Sequence, residues 1–241
     1  MRYAIFSDVH ANLEAFLVVC EYYRNEPIDK FVFLGDIVGY GANPRETTAI
    51  LMDLNPIAIS GNHDWAATEK FDIRFFNPHA RAAMVWTREQ LSRDDRCYLA
   101  SFPLTHQEKE FICSHGSLNN PEKFNYIWGI AEATLIFPLF KERIFFMGHS
   151  HKMEGYCLKN KVVSYIFDQT IPLEPDARYI INVGSVGQPR DRNPRSCACI
   201  YDTDSNVVTF TRLEYNIQAA AQKIIDNGLP AMFASRLSIG C

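Results

Sequence analysis

Histidines, acids and amides recur at the ends of short apolar segments along the first two thirds of the chain. Five of the seven histidines fall directly after such segments, each beside an acid, an amide or a glycine. Imidazole, carboxylate and amide groups without a thiolate favour Mn²⁺, Fe, Zn²⁺, Ni²⁺ or Mg²⁺ over copper(I) or an iron–sulfur cluster. The positions of this kind are Asp8, His10, Asp36, Asn62, His63, Asp64, His115, His149 and His151.

The spacing of these residues suggests that they converge. Asp8 and His10 are two residues apart at a strand end, as are His149 and His151, and alternation along a strand predicts that each pair shares one side. A carboxylate such as that of Asp36 has two oxygens and could bridge two ions. Each motif alone is more typical of an ordinary turn or cap. Their occurrence together, each after a strand, predicts a metal site.

The first sixty residues alternate between strand and helix patterns. This alternation predicts where the loops that carry the polar residues lie. Apolar runs at 3–7, 31–34 and 57–60 are separated by helical patterns at 13–23 and 45–54. This alternation indicates βαβ units whose parallel strands are buried on both faces. Ligands bind at the carboxyl ends of such strands, where the polar residues stand.

The rest of the chain predicts further helices and a change of sheet type. We expect helices at 78–92, 94–100 and 131–140, and short strands at 111–114 and 144–147. Strand patterns at 155–158, 162–167, 179–183, 197–202 and 207–213 predict a second, more antiparallel sheet, closed by a helix over 216–226. We expect one domain over 1–241, with a core to about residue 215 and a helical extension over 216–241. Residues 228–241 could be a docking tail or a packed helix.

Composition excludes several classes of protein. With 47% hydrophobic and 22% charged residues, the chain can bury a substantial core. A net charge of -4 and a pI near 6.0 give no reason to expect a nucleic-acid duplex or an anionic membrane as the main partner. No apolar run reaches the roughly 18 residues of a membrane span, and no signal peptide is evident. The seven scattered cysteines are typical of free thiols, so we expect a cytoplasmic protein.

The order of the motifs D-x-H, G-D, G-N-H-D, H-G and G-H-S-H over about residues 1–200 resembles the calcineurin-like metallophosphoesterase superfamily. The resemblance implies an α/β fold, a four-layer α/β/β/α sandwich of two mixed sheets with a dinuclear metal site at the carboxyl ends of the strands. It also implies two divalent ions, with Mn²⁺ favoured and Fe, Ni²⁺, Zn²⁺ or Mg²⁺ left open. The implied ligands are Asp8, His10, Asp36 and His151 for one ion, and Asp36, Asn62, His115 and His149 for the other.

The resemblance implies a mechanism as well. Two ions about 3.5–4 Å apart would hold a bridging hydroxide for in-line attack on phosphorus. His63 resembles the family's catalytic histidine, which stabilises or protonates the departing oxygen. Asn12 could contact phosphate or cap the helix that begins there, and both interpretations stay open.

The chain departs from the Ser/Thr protein phosphatases of this superfamily after Asp36. Gly39 stands where those enzymes have a second aspartate that orients the catalytic histidine, and no phosphate-binding arginine is adjacent. Asp64 is then the nearest candidate to orient His63. Residues 35–44 and 182–190 instead resemble the small bacterial and archaeal phosphodiesterases.

The substrate is less well specified. Gly184 and Gly187 would let a loop approach the metal site. Arg190, which follows that loop, forms a basic cluster with Arg192 and Arg195 that could be a solvated loop or a phosphate clamp. Trp65 or Phe75 could stack on a nucleobase, although most aromatics of that segment should be core.

We therefore expect hydrolysis of a phosphodiester or phosphomonoester, with a small phosphate ester such as a nucleotide as substrate. The alternatives are a protein phosphatase or dinucleoside polyphosphate hydrolase and, outside enzymes, a metal-binding scaffold, which the presence of His63 disfavours. Homo-oligomerisation stays open.

Overall fold

Two six-stranded mixed β-sheets form the centre of the protein, in a computed structural model that describes all 241 residues. The strands of the first sheet, in spatial order, are β3 (Ile57–Ala58), β2 (Lys30–Phe33), β1 (Arg2–Phe6), β11 (Ser196–Asp202), β12 (Val207–Leu213) and β9 (Thr170–Pro172). Those of the second are β4 (Thr105–Gln107), β5 (Phe111–Ser114), β6 (Ile144–Met147), β10 (Arg178–Val183), β7 (Met153–Lys159) and β8 (Val162–Ile166).

Helices cover the outer face of each sheet, so the predicted four-layer α/β/β/α sandwich of mixed sheets is confirmed. The helices are α1 (Leu13–Arg24), α2 (Pro44–Leu54), α3 (Asn62–Ala67), α4 (Pro78–Gln90), α5 (Arg93–Ala100), α6 (Ile130–Ile136), α7 (Ile217–Asp226) and α8 (Ala231–Ile239).

Alternation along β1 explains the layers. Tyr3 and Ile5 point into the core between the two sheets, whereas Ala4 and Phe6 join the core beneath α1. Side chains of successive strand residues lie on opposite faces, and here both faces are covered. This is why the strand reads as an unbroken apolar run.

The strands after His151 do not form a sheet of their own, so that prediction was wrong. Strands β7, β8 and β10 join β5 and β6 in the second sheet, with β10 parallel to β6 and antiparallel to β7. Strands β9, β11 and β12 complete the first sheet, where β11 lies antiparallel to β1. The apolar pattern of a strand reports which faces are buried, but it does not identify the neighbouring strand.

The C-terminal residues form two packed helices. Phe233 and Leu237 of α8 belong to one apolar cluster with Ile224 of α7 and Ala83 of α4, and Tyr40 packs against this cluster. Phe233 is fully buried. Of the two interpretations of residues 228–241, the packed helix is therefore the correct one. No helix of the chain combines the length and the apolar character needed to cross a membrane.

Candidate metal centre

Six of the seven predicted ligands lie in loops at the carboxyl ends of β1, β2, β5 and β6, and the seventh, Asn62, is the first residue of α3. Asp8 and His10 have φ of 55° and 48°, and His149 and His151 have φ of 70° and 60°. Strand alternation therefore does not bring these pairs together, contrary to the sequence argument, because each pair lies beyond its strand. The left-handed backbone of the loops turns the side chains inward instead, at a conformational cost that the surrounding structure must offset.

One cluster of ligand atoms consists of Asp8, His10 and His151. Asp8 Oδ1 lies 3.2 Å from His151 Nε2 and 3.7 Å from His10 Nε2. The two imidazole nitrogens are 3.1 Å apart. All three side chains are almost fully buried. Their atoms thus surround one small space from three directions.

A second cluster consists of Asp36, His115 and His149. Asp36 Oδ2 lies 3.2 Å from His115 Nε2 and also 3.7 Å from His10 Nε2, which belongs to the first cluster. His149 Nδ1 lies 3.2 Å from His115 Nε2. One carboxylate oxygen of Asp36 therefore faces histidines of both clusters.

Backbone carbonyls fix the orientation of three of these histidines. Nδ1 of His10, His115 and His151 contacts the carbonyl oxygens of Val38 at 3.1 Å, Leu34 at 2.7 Å and Gln188 at 2.6 Å, respectively. When Nδ1–H donates to a carbonyl, the lone pair of Nε2 is free to coordinate a metal. The Nε2 atoms are the ones that face the clusters.

Two oxygens at the centre, Asp8 Oδ1 of the first cluster and Asn62 Oδ1, are buried and form no hydrogen bond. Buried oxygens are rarely left unpaired, because desolvation is costly. Mn²⁺, Fe and Zn²⁺ bind nitrogen and oxygen ligands of the kind present here. The two unpaired oxygens therefore fit a site for divalent cations. The residues present therefore match the metal dependence implied by the resemblance.

The electrostatics of the cluster also suit a cation. Burial opposes the charged form of His115, but the carboxylates of Asp36 and Asp8 outweigh it and raise the pKa of His115 to about 9. Burial lowers the pKa of His149 and His151 well below the usual range, and the neighbouring positive charges lower it further. His149 and His151 are thus neutral near pH 7, the form that binds metal.

His63 lies beside these clusters. Its backbone N–H donates to Asp36 Oδ1 at 2.8 Å, and its ring Nε2 lies 3.0 Å from the hydroxyl of Tyr40. Its Nδ1 is buried without a partner. Burial lowers the pKa of His63 to about 3, so its imidazole is uncharged near neutral pH.

Asp64 does not orient His63, which corrects the sequence interpretation. Its carboxylate accepts three backbone N–H groups, from Asp36 at 2.7 Å, Ile37 at 3.0 Å and Gly61 at 3.0 Å. Burial and the charge of Asp36 raise the pKa of Asp64 to about 7, against the effect of those donors. Asp64 stands at the third position of α3, where it ties two site loops together.

Asn12 caps helix α1, and both of its polar atoms have a partner within the protein. Its Oδ1 accepts the backbone N–H of Ala15 at 3.1 Å, and its Nδ2 donates to the carbonyl of Gly187 at 2.8 Å. The capping interpretation of Asn12 is therefore confirmed, whereas the phosphate contact stays a prediction. A Cβ at Gly187 would lie 1.8 Å from the carbonyl oxygen of Val9, so glycine permits this close approach of the two loops.

The three arginines do not act as one cluster. The Arg190 guanidinium lies 5.6 Å from the Tyr40 ring centroid, donates to Gln188 Oε1 at 2.8 Å, and has a buried Nε without a partner. Its charge helps to lower the pKa of His63 and His151, which places it near the site. Arg195 instead pairs with Glu214 at 2.8 Å, and it lines a separate surface pocket together with Arg192.

Other aromatic residues than those predicted border the metal centre. Trp65 is half-buried against Phe124, whereas Phe75 is 81% exposed. Tyr126 stacks on His149 with ring centroids 4.0 Å apart. Trp128, 61% exposed, stacks on Tyr126 at 4.5 Å. Sequence reasoning missed this stack, because Tyr126 and Trp128 lie in a loop that contains no metal-ligand motif.

Comparison with known proteins agrees with this geometry. Residues 1–206 match the family model of the calcineurin-like phosphoesterase superfamily domain. The chain is 36% identical to an uncharacterised protein of Methanocaldococcus jannaschii, over 98% of this chain and 97% of the relative.

Solved structures share the fold over the whole chain. A metallophosphoesterase from Sphaerobacter thermophilus superposes with a TM-score of 0.87 at 36% identity, covering 100% of this chain and 99% of that one. A hypothetical protein from Pyrococcus horikoshii shares the fold with a TM-score of 0.80 at 19% identity, covering 100% and 98%. The enzyme class predicted from the sequence, a metallophosphoesterase, is confirmed. On this combined evidence, the chain belongs to the calcineurin-like phosphoesterase superfamily.

Proposed function

We propose that the protein hydrolyses a small phosphodiester or phosphomonoester with two divalent ions, Mn²⁺ being the preferred one. The observation that carries this proposal is the position of Asp36 Oδ2, which faces His115 Nε2 at 3.2 Å and His10 Nε2 at 3.7 Å. A carboxylate oxygen between two ligand sets suits a shared ligand of two ions. The ligands we propose are Asp8, His10, Asp36 and His151 for one ion, and Asp36, Asn62, His115 and His149 for the other.

Bound ions would supply Lewis acidity toward the phosphoryl oxygens and lower the pKa of an attacking water. The chain's own groups bind and orient the ester around that centre. Arg190 presents a guanidinium whose buried Nε lacks a partner, which suits a charge-assisted hydrogen bond to a phosphate oxygen. One terminal nitrogen of the guanidinium, Nη2, already donates to Gln188 Oε1, so less side-chain entropy is lost on binding.

We assign to His63 the stabilisation of the departing oxygen. Its imidazole is buried and uncharged near pH 7, because burial lowers its pKa to about 3. A neutral imidazole can still donate an N–H to an oxygen on which charge develops. Such a positioned donor typically contributes about 10²–10⁴-fold to the rate.

A nucleotide is the substrate class that the surroundings of the centre suit best. Trp128 is a largely exposed ring that continues the stack of His149 and Tyr126 outward from the ligands. Stacking of a base on an aromatic side chain contributes about 1–3 kcal/mol. We therefore expect Trp128→Ala to raise KM for an ester that carries a base, and to leave KM for a methyl ester unchanged. Equal effects on both esters would argue against the base.

The test of the proposed function is turnover by metal-stripped protein after add-back of Mn²⁺, Ni²⁺, Zn²⁺ or Mg²⁺ in turn. The substrates are bis-p-nitrophenyl phosphate and p-nitrophenyl phosphate, and His63→Ala is the variant. We expect metal-dependent turnover that His63→Ala reduces without loss of bound metal. The preferred ester decides between diesterase and monoesterase. No turnover with any ion, despite bound metal, would overturn the proposal.

A further inference from the structure

The ring of His63 has one hydrogen-bonding partner, the hydroxyl of Tyr40. The two side chains meet at 3.0 Å between His63 Nε2 and the hydroxyl oxygen, and their ring centroids lie 4.4 Å apart. The other ring nitrogen, Nδ1, is buried and has no partner. We propose that Tyr40 is the positioning residue of His63, and that helix α8 holds Tyr40 in place. This inference rests on the proposed function, because it gives His63 a role in turnover.

Gly39 makes this arrangement sterically feasible. A Cβ on Gly39 would lie 2.3 Å from Nδ1 of His63, far inside van der Waals contact. The φ of Gly39 is +92°, a conformation that side-chain-bearing residues rarely adopt. The glycine therefore leaves room for the imidazole, and the next residue supplies its hydrogen bond. Gly39 and Tyr40 thus both serve to place the ring of His63, the first by its small size and the second by its hydroxyl.

Tyr40 is fixed from three sides. Its ring lies 4.7 Å from that of Phe233 and 4.5 Å from that of His10, measured between centroids. The Arg190 guanidinium lies 5.6 Å from the Tyr40 ring centroid. A side chain held by an aromatic neighbour, a cation and a second ring loses little further rotamer freedom when it positions His63.

This packing makes the C-terminal helices part of the site. Phe233 belongs to α8, almost 200 residues after Tyr40 in the chain, and it is fully buried in the cluster formed by α7, α8 and α4. The contact with Tyr40 extends that cluster to the loop after β2. Residues 217–239 therefore support the orientation of His63, although none of them is among the candidate ligands.

Tyr40→Phe tests the proposal, because it removes the hydroxyl and keeps the ring that packs against Phe233. Bis-p-nitrophenyl phosphate and diphenyl phosphate differ only in the two para-nitro groups, but phenol is the poorer leaving group and needs more help from His63. We expect kcat for diphenyl phosphate to fall by about 10–100-fold and kcat for the nitrophenyl ester by under about threefold. KM should change little for either ester. The matched control is Tyr156→Phe, whose hydroxyl is buried without a partner in the second sheet.

A second measurement does not depend on turnover. Long-range ¹H–¹⁵N spectra of Zn²⁺-loaded protein report the tautomer and hydrogen bonding of each imidazole, and His63→Gln identifies the His63 signals. We expect Tyr40→Phe to shift Nε2 of His63, and Tyr156→Phe to leave it unchanged.

Unchanged His63 signals in Tyr40→Phe would overturn the proposal, as would an equal fall of kcat on both esters. If the unmodified protein hydrolyses neither ester, the proposed function fails. The imidazole spectra then still decide whether Tyr40 positions His63.

Discussion

The carboxylate of Asp64 accepts the backbone N–H of Asp36 at 2.7 Å, and thereby joins the loop after β2 to the start of α3. Two more backbone groups donate to the same carboxylate, from Ile37 and Gly61. The residue next to His63 in the chain therefore acts on the shared metal-ligand candidate Asp36, and the residue that forms a hydrogen bond with the His63 ring is Tyr40.

Asp64→Asn should weaken metal binding and stability together. The asparagine side chain has one acceptor oxygen where aspartate has two, and its NH₂ group would face backbone N–H donors. We therefore expect the free energy of unfolding to fall by about 1–3 kcal/mol. Metal affinity should fall by about 10–100-fold, as for other partners of ligands. Urea denaturation and metal titration measure the two effects. The control is Asp72→Asn on the surface. A variant that keeps its stability and metal but loses turnover would restore the role first assigned to Asp64.

Gly39→Ala should reduce kcat and leave bound metal in place. The new Cβ would displace the ring of His63, since it would meet Nδ1 at 2.3 Å. Gly228→Ala is a matched control, because Gly228 has φ of +66° and nothing within 4 Å of its added Cβ. In both variants an alanine with positive φ costs about 1–2 kcal/mol of backbone strain. Only in Gly39→Ala does the new Cβ also clash with His63. Equal kcat in the two variants would contradict the proposed position of His63.

Arg190→Ala should raise KM for phosphate esters by about 10–100-fold, which corresponds to loss of a charge-assisted hydrogen bond of about 1.5–3 kcal/mol. Arg190→Lys keeps the charge but loses the planar fork, so we expect an intermediate KM. Steady-state kinetics measure both. Arg195→Ala serves as the control, because Arg195 pairs with Glu214 on the surface. The same KM change in Arg190→Ala and Arg195→Ala would argue against a specific phosphate contact.

Metal binding should release a proton from His115. Without metal its pKa is about 9, so it is protonated at pH 7 and must become neutral to bind an ion. As the pH rises from 6 toward 9, a smaller fraction of His115 carries the proton that competes with the metal ion. The affinity for the metal should therefore increase by up to about tenfold per pH unit. Calorimetry of Mn²⁺ binding in buffers of different ionisation enthalpy counts the protons released. A binding enthalpy that is the same in all buffers would contradict this prediction.

The clustering of the candidate ligands and the existence of most strands could be predicted from the sequence, because residue types and apolar periodicity are local properties. Strands Phe111–Ser114, Ile144–Met147 and Val207–Leu213 have the predicted bounds. The assignment of strands to sheets could not be predicted in this way, because the pairing of β11 with β1 depends on contacts about 200 residues apart.

The hydrogen-bond partner of His63 could not be predicted from the sequence either. Tyr40 carries no ligand motif, and its contact with His63 depends on the left-handed backbone of the loop, where φ of Tyr40 is 63°. The role of Asp64 was misassigned and that of Asn12 was left open, because a polar side chain beside a candidate ligand is compatible with capping and with chemistry. Only the hydrogen-bond partners distinguish these roles.

The central claim is that Asp36 serves two metal ions in a hydrolytic centre, and the most direct measurement combines metal content with turnover in Asp36→Asn. We expect the unmodified protein, loaded with Mn²⁺, to hold about two ions per chain and to hydrolyse bis-p-nitrophenyl phosphate. Asp36→Asn should hold fewer ions and lose turnover by at least about 10²-fold. Full metal content together with unchanged turnover in Asp36→Asn would contradict the account.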